Sequence, residues 1–142
     1  MSASVGPRTV GRLMTDDPVV VSADMPLVEA ASIMDFYRIS GLPVVDRDGV
    51  LVGVISQTDL LHARTTEALW SAWPGLAVRH LMTSPPVTVT ADVAIEDAAA
   101  LMEERGIHRL VVTDEDGEAP IGVLSVSDLV RAMAARYDSP LE

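Results

Sequence analysis

Two seven-residue segments of this chain repeat each other, and this repetition constrains the fold more than any other feature. Gly53-Val-Ile-Ser-Gln-Thr-Asp59 and Gly122-Val-Leu-Ser-Val-Ser-Asp128 each join an apolar strand end to the hydroxyl-rich start of a helix. The similarity continues along the chain: Met14 aligns with Met82 at an offset of 68 residues, which becomes 69 after one extra residue near Pro120. Self-similarity of this density indicates a duplicated structural unit.

Each copy predicts the same order of elements: a strand, a helix, two strands and a second helix. β-branched runs predict the first strands, and an apolar period near 3.6 residues predicts the first helices. Asp-Gly pairs favour hairpin turns, and the strand-helix-strand connection crosses over right-handedly. The predicted fold class is therefore α/β (α+β). The predicted strands are Val19–Val21, Leu42–Val45, Leu51–Ile55, Val87–Val89, Leu110–Thr113 and Ile121–Leu124; the predicted helices are Leu27–Tyr37, Ala94–Arg105 and two that begin at Thr58 and Ser127.

Capping residues and the repeat itself set the predicted boundaries. Asp24 and Asp92 are predicted N-caps, because their side-chain oxygens can accept hydrogen bonds from the first free amides. Gly106 is predicted to end the second long helix, and Glu67–Trp73 to form a short helix between the repeats. We divide the chain into a leader at 1–9, a first repeat at 10–64, a linker at 65–77, a second repeat at 78–137 and a tail at 138–142.

Charge and composition exclude several classes of function. The formal net charge is −11, which repels nucleic-acid phosphates, so we expect no nucleic-acid partner. The chain has no Cys and no Lys, which excludes disulfides, thiolate metal sites, a P-loop lysine and Schiff-base chemistry. No apolar run reaches the ~18–20 residues that span a bilayer, and the first residues lack a signal-peptide pattern. We therefore expect a cytoplasmic protein without a membrane partner.

Each repeated segment places a serine three positions before an aspartate. Ser56-x-x-Asp59 and Ser125-x-x-Asp128 have the spacing of a capping box, which satisfies free amides at the start of a helix. The same geometry suits a ligand, because free amides and hydroxyls bind phosphate oxygens and a carboxylate accepts hydrogen bonds from vicinal ribose hydroxyls. The sequence leaves open whether these carboxylates bind a ribose or only cap their helices.

Four further motifs follow the same duplication. They are Leu13-Met-Thr15 with Pro18-Val19, Leu81-Met-Thr83 with Pro86-Val87, Gly41-Leu-Pro-Val-Val-Asp46, and His108-Arg-Leu-Val-Val-Thr-Asp114. In order and spacing the pattern resembles the tandem cystathionine-β-synthase (CBS) domain pair, or Bateman module, over nearly the whole chain. The resemblance implies two β-α-β-β-α repeats packed through their sheets with pseudo-twofold symmetry. It also implies two clefts, an adenosine-containing ligand and a regulatory role.

The resemblance implies that each cleft mixes residues of both repeats. Asp59 and Asp128 would hold the ribose in the first and second cleft, and Arg131 would add positive charge near them. The implied first cleft contains Val54, Ser56, Thr58, Asp59, Pro86, Val87, His108 and Arg109, and the implied second cleft contains Pro18, Val19, Arg38, Ser40, Val123, Ser125, Ser127 and Asp128.

The two implied clefts differ in positive charge. His108 and Arg109, which would reach the phosphates in the first cleft, correspond to Ser40 and Gly41 in the second. Arg38 is the nearby cation that would compensate. We therefore expect the first cleft to bind a phosphorylated ligand more tightly.

The function that we expect is a regulatory sensor and not an enzyme, because the three histidines show no spacing of a nucleophile and its base. The ligand would be AMP, ADP or ATP; no cofactor is required and no resident metal is expected, although Mg²⁺ can arrive on the nucleotide phosphates. The expected partners are a second copy of the chain, in a homodimer, and an unidentified effector protein. Two alternatives stay open: an interaction module without a nucleotide, and a module for another adenosyl ligand such as S-adenosylmethionine.

Aromatic and acidic residues outside these motifs are expected to be structural. Trp70 and Trp73 would pack the linker against the domain or across a dimer interface, where Trp is enriched. The acidic clusters near Asp46 and Asp114 lack the spacing of a calcium-binding EF-hand, so we interpret them as solvated turns.

Overall fold

The computed structural model describes residues 8–137, which form two compact units. The continuous unit is Val19–Pro86, and the split unit joins the described residues up to Pro18 to those from Val87 onward. The first seven residues of the predicted leader and the predicted tail at 138–142 lie outside the described residues. In chain order the elements are α1 Val10–Leu13, β1 Thr15–Asp16, β2 Val21–Ser22, α2 Leu27–Tyr37, β3 Gly41–Val45, β4 Leu51–Ser56, α3 Gln57–Thr65, α4 Glu67–Ala72, β5 Thr88–Thr90, α5 Ile95–Arg105, β6 Arg109–Thr113, β7 Pro120–Ser125 and α6 Val126–Tyr137, with 3₁₀ turns at Trp73–Gly75 and Val78–His80.

A three-stranded sheet in the order β2-β3-β4 organises the continuous unit. β2 and β3 are parallel and are connected by α2, whereas β3 and β4 are antiparallel and are joined by a hairpin. α2 buries Leu27, Ala30 and Met34, which recur at helical spacing on one face. These side chains share a core with Leu42 and Ile55 of the sheet. Alternate residues of β4 are buried, as expected for a strand with one face against a core.

The split unit has a four-stranded sheet in the order β1-β7-β6-β5. β5 and β6 are parallel, and β7 is antiparallel to both β6 and β1. Ala98 and Met102 of α5 pack with Leu110 and Leu124 of the sheet. Val10 of α1 is fully buried in the same core. The amino-terminal segment is therefore part of the core of this unit.

Each compact unit combines the first residues of one repeat with the remainder of the other. We call these first residues, 10–18 in the first repeat and 78–86 in the second, the leading segments. Thr15 leads the first repeat, but it pairs with Val123 of β7 in the second. Thr83 leads the second repeat, but it forms an isolated bridge with Val54 of β4. In that bridge Val54 N donates to Thr83 O at 3.0 Å, and Thr83 N donates to Val54 O at 2.8 Å.

This exchange explains why a glycine begins each repeated segment. A Cβ on Gly53 would lie 2.8 Å from both Thr83 O and Met82 Sδ. A Cβ on Gly122 would collide in the same way with Met14 and would lie 3.1 Å from the carbonyl of Thr15. The leading segments approach the strands so closely that a side chain has no space there.

The prediction that Asp24 is the N-cap of α2 is wrong. The N-cap of α2 is Pro26, with φ of −59° and ψ of 140°, and no side chain caps the helix. The amide of Leu27 instead donates to the backbone carbonyl of Leu76 at 2.9 Å. Asp24 accepts a hydrogen bond from Arg79 Nη1 at 2.6 Å. A tertiary contact therefore satisfies the free amide that the sequence assigned to a side chain.

The prediction that Asp92 is the N-cap of α5, in the second repeat, is also wrong. Ala94, not Asp92, is the N-cap of α5, and the carboxylate of Asp92 accepts a hydrogen bond from the Thr90 hydroxyl. The helix ends as predicted at Gly106, which is left-handed with φ of 63°. The corresponding residue after α2 is Arg38, which adopts the same conformation with φ of 58° despite its side chain.

Candidate functional site

A complete capping box holds the start of α3. Ser56 N donates to Asp59 Oδ2 at 2.8 Å, and Asp59 N donates to Ser56 Oγ at 3.3 Å. The Ser56 hydroxyl also lies 3.0 Å from Asp59 Oδ2 and 2.9 Å from the Thr58 hydroxyl. Among the side chains described, those of residues 8–134, none donates a hydrogen bond to Asp59 Oδ1. One oxygen of this partly exposed carboxylate is therefore held by the start of the helix.

The start of α6 repeats this geometry with one addition. Ser125 N donates to Asp128 Oδ2 at 2.8 Å, and Asp128 N donates to Ser125 Oγ at 3.1 Å. Asp128 Oδ1 accepts a hydrogen bond from Arg131 Nη1 at 3.0 Å. The Asp128 side chain is only 9% exposed, whereas that of Arg131 is 70% exposed. Both carboxylate oxygens of Asp128 thus have partners.

The residues that precede β3 and β6 lie beside the capping box of their own unit. Gln57 N donates to Ser40 O at 2.9 Å, and Val126 N donates to His108 O at 2.9 Å. In the antiparallel register Arg109 is opposite Ser125. Partial burial lowers the pKa of the Arg109 guanidinium below its ordinary value, because desolvation penalises the charged form. An arginine remains protonated at neutral pH despite such a shift.

The residues that the resemblance implies around an adenine lie on strands β4 and β7 or where the chain passes from one unit to the other. The backbone N and O of Val54 both bond to Thr83, so the polar groups of this position are engaged. Pro18 and Val19 lie on either side of one boundary, and Pro86 and Val87 on either side of the other. The other predicted residue of this kind is Val123, which pairs with Val111 and Thr15. The combination of residues from both units in one cleft remains a prediction.

Arg38 has an exposed side chain and a left-handed backbone. Non-glycine residues avoid this conformation because Cβ approaches the following carbonyl. Such backbone strain is found preferentially at functional positions. The conformation ends α2 as Gly106 ends α5, and the ligand-binding role of Arg38 stays a prediction.

The aromatic residues of the linker form a cluster that the sequence predicted only in part. The rings of Trp70 and Trp73 lie 5.4 Å apart, and Trp73 packs against the core of the continuous unit. The guanidinium of Arg64 lies 4.6 Å from the centre of the Trp70 ring, a cation–π contact that no motif indicated. A spacing of six residues across two helices gives no periodic signal for it.

Neither a metal cluster nor a membrane span is found among the described residues. No group of three or more His, Asp or Glu side chains within 8–137 is arranged to hold an ion. No helix in this part of the chain is both long and apolar enough to cross a bilayer.

The duplicated capping boxes and motifs correspond to a known family. Residues 10–65 and 78–135 each match the CBS domain. The chain belongs to the CBS domain family. This CBS pair is similar to CBSX1, a chloroplastic CBS domain-containing protein of Arabidopsis thaliana, with 33% identity over 162 aligned positions that cover 93% of this chain and 68% of CBSX1. It is also similar to the inosine-5'-monophosphate dehydrogenase of Methanocaldococcus jannaschii, with 32% identity over 87% of this chain but only 23% of that enzyme.

Solved structures confirm the predicted fold class. CBSX2 of Arabidopsis thaliana in complex with AMP has a TM-score of 0.80 and 34% identity, covering 92% of this chain and 98% of that chain. The CBS pair of MJ0100 in complex with 5'-methylthioadenosine and S-adenosyl-L-methionine has a TM-score of 0.76 and 25% identity, covering 88% and 98%. The α/β fold of two CBS repeats is therefore the fold of this chain.

Proposed function

We propose that this CBS pair is a regulatory module that binds an adenosine nucleotide through its two Ser-x-x-Asp capping boxes. The observation that carries the proposal is the carboxylate of Asp59, of which Oδ2 caps α3 and Oδ1 accepts no hydrogen bond from the side chains described at 8–134. An acceptor of this kind suits the vicinal hydroxyls of a ribose. The AMP complex of CBSX2 supports an adenosine ligand for this chain.

A phosphate group would bind to the cations near the capping boxes. Arg109 is half-buried, and its guanidinium can form charge-assisted hydrogen bonds with phosphate oxygens. The start of α3 adds its helix dipole and the hydroxyl of Thr58. Any Mg²⁺ would enter with the nucleotide phosphates.

The ligand would regulate only if it binds one arrangement of the protein better than another. We propose that this arrangement involves a homodimer and an effector protein. α2 supports a homodimer, because Val28 and Phe36 are exposed there, whereas α5 carries Glu96 and Glu104 at the equivalent positions. Phe36 is 78% exposed, which is unusual for so large an apolar side chain.

A catalytic role is not part of the proposal. The chain has neither Cys nor Lys, and His80 Nδ1 accepts a hydrogen bond from Ala77 N at 2.9 Å, which gives this histidine a structural role. The similarity to a dehydrogenase covers 23% of that enzyme, so its activity is not proposed for this chain. The cytoplasmic location also stays a prediction, since the relative CBSX1 is chloroplastic.

Calorimetry with AMP, adenosine and S-adenosylmethionine tests the proposal. We expect AMP to bind, and we expect Arg109→Ala to weaken AMP binding by ~1–3 kcal/mol, the contribution of a charge-assisted hydrogen bond. The same change should affect adenosine much less, because adenosine lacks the phosphate. Arg105→Ala is the control, since Arg105 is exposed at the end of α5.

The outcome separates the proposal from its alternatives. If S-adenosylmethionine binds and AMP does not, the chain is a module for another adenosyl ligand, as in the MJ0100 complex. If no adenosine compound binds or raises the melting temperature, the chain is an interaction module, because a ligand of the native state must stabilise it.

A further inference from the structure

The two capping boxes differ at the residue one helical turn after their aspartate. Arg131 donates to Asp128 Oδ1 at 3.0 Å, three residues along α6. The residue at the corresponding position of α3 is His62, whose side chain makes no hydrogen bond to Asp59 within the described residues. The repeats are otherwise closely matched here: in both, Oδ2 of the aspartate accepts from the serine amide at 2.8 Å. The difference between Arg131 and His62 therefore leaves Oδ1 hydrogen-bonded in Asp128 but not in Asp59.

That oxygen is the one that a ribose would use. Since Oδ2 is held by the capping box in both units, Oδ1 is the acceptor left for a ligand hydroxyl. At Asp128 the guanidinium occupies one acceptor position of Oδ1 and its positive charge makes the carboxylate a weaker acceptor for a neutral hydroxyl. At Asp59 the equivalent oxygen has no such competitor in the described structure.

We propose that Arg131 competes with the ribose hydroxyls for Asp128 and thereby gives the two capping boxes unequal affinity for one ligand. The inference rests on the proposed function, because it assumes that the aspartates bind a vicinal diol. Arg131 is 70% exposed and the ion pair is solvated on one side. Such pairs are weak, so Arg131 lowers the affinity without closing the site.

The consequence is a module with two thresholds for the same nucleotide. The Asp59 capping box fills first, and the Asp128 capping box fills at a higher ligand concentration. Exchange of the residues at 62 and 131 should narrow the difference between the two affinities, because the arginine would then pair with Asp59 and no longer with Asp128.

Single-site variants allow each capping box to be measured alone. Asp59→Asn and Asp128→Asn each retain a side-chain oxygen for the serine amide but remove the carboxylate. In the Asp59→Asn chain, Arg131→His should raise the affinity for AMP by about two- to fivefold, the factor that corresponds to an exposed ion pair. In the Asp128→Asn chain, His62→Arg should lower the affinity by a similar factor. Isothermal calorimetry measures both, and circular dichroism verifies that each variant is folded.

A ligand without the diol distinguishes competition from a general effect on the site. The exchange of residue 62 or 131 should leave the affinity for 2',3'-dideoxyadenosine monophosphate unchanged, since that ligand has no hydroxyls for the aspartate. An equal effect on both ligands would overturn the inference. Weaker AMP binding after Arg131→His would also overturn it, because Arg131 would then be a phosphate ligand and not a competitor.

Failure of this inference and failure of the proposed function give different results. If the unmodified chain binds AMP but neither exchange alters its affinity, the inference is refuted and the proposed function stands. The same conclusion follows if the Asp59→Asn chain binds no AMP with either Arg or His at 131, because Asp128 then binds no ribose. If the unmodified chain binds no adenosine compound, the proposed function is refuted and the inference with it.

Discussion

Replacement of Gly53 by alanine tests the close contact between β4 and the leading segment of the second repeat, within the continuous unit. The new Cβ would lie 2.8 Å from Thr83 O and 2.8 Å from Met82 Sδ. The thioether of a methionine can rotate away, but Thr83 O belongs to a backbone held by two hydrogen bonds to Val54, of 3.0 and 2.8 Å. The strand and the leading segment must therefore separate.

The expected loss of stability follows from that geometry. Overpacking in a tight contact costs ~1–3 kcal/mol, and each hydrogen bond that is weakened contributes ~0.5–1.5 kcal/mol. Alanine offsets part of this, because it lowers the entropy of the unfolded chain by an equivalent of ~0.4–1 kcal/mol. We expect Gly53→Ala to lower the free energy of unfolding of the continuous unit by ~2–4 kcal/mol.

Tryptophan fluorescence during urea denaturation measures this loss directly. Both tryptophans of the chain, Trp70 and Trp73, lie in the continuous unit, so their signal reports its unfolding. The control is Gly75→Ala, because a Cβ on Gly75 would meet nothing within 4 Å and its φ is not positive. The control should match or slightly exceed the stability of the unmodified chain. If Gly53→Ala unfolds at the same urea concentration as Gly75→Ala, the close approach of the leading segment is refuted.

Two further predictions concern α2. Arg38→Gly should raise the free energy of unfolding by ~1 kcal/mol, because glycine adopts the left-handed conformation of this residue without strain, as Gly106 does after α5. Arg38→Ala should give no such gain in the same urea experiment, and an equal gain would mean that the side chain, not the backbone, is unfavourable. Phe36→Ser should lower the fraction of dimer in sedimentation velocity, because it removes the most exposed aromatic side chain of α2. The control Glu104→Ser, at the equivalent position of α5, should leave the fraction of dimer unchanged. An unchanged dimer after Phe36→Ser would exclude this face of α2 from the interface.

Local features of the sequence were sufficient to predict most elements of the fold. α2 and the hairpins were predicted because apolar periodicity and Asp-Gly turns act between neighbouring residues. Gly49 and Gly117 have the positive φ values, 81° and 74°, that such turns require. The capping box of Asp59 was predicted for the same reason, since its partners are three residues apart.

The sequence by itself determined the duplication, the order of the elements and the membership of the CBS domain family. Only the tertiary structure decided that Asp24 pairs with Arg79, 55 residues away, and that the leading segment of each repeat joins the other. Those contacts depend on chain segments that meet in space, and no local pattern encodes them. The difference between Asp59 and Asp128 also became visible only in the structure, because the spacing to residue 131 permits the ion pair but does not determine which carboxylate oxygen it occupies.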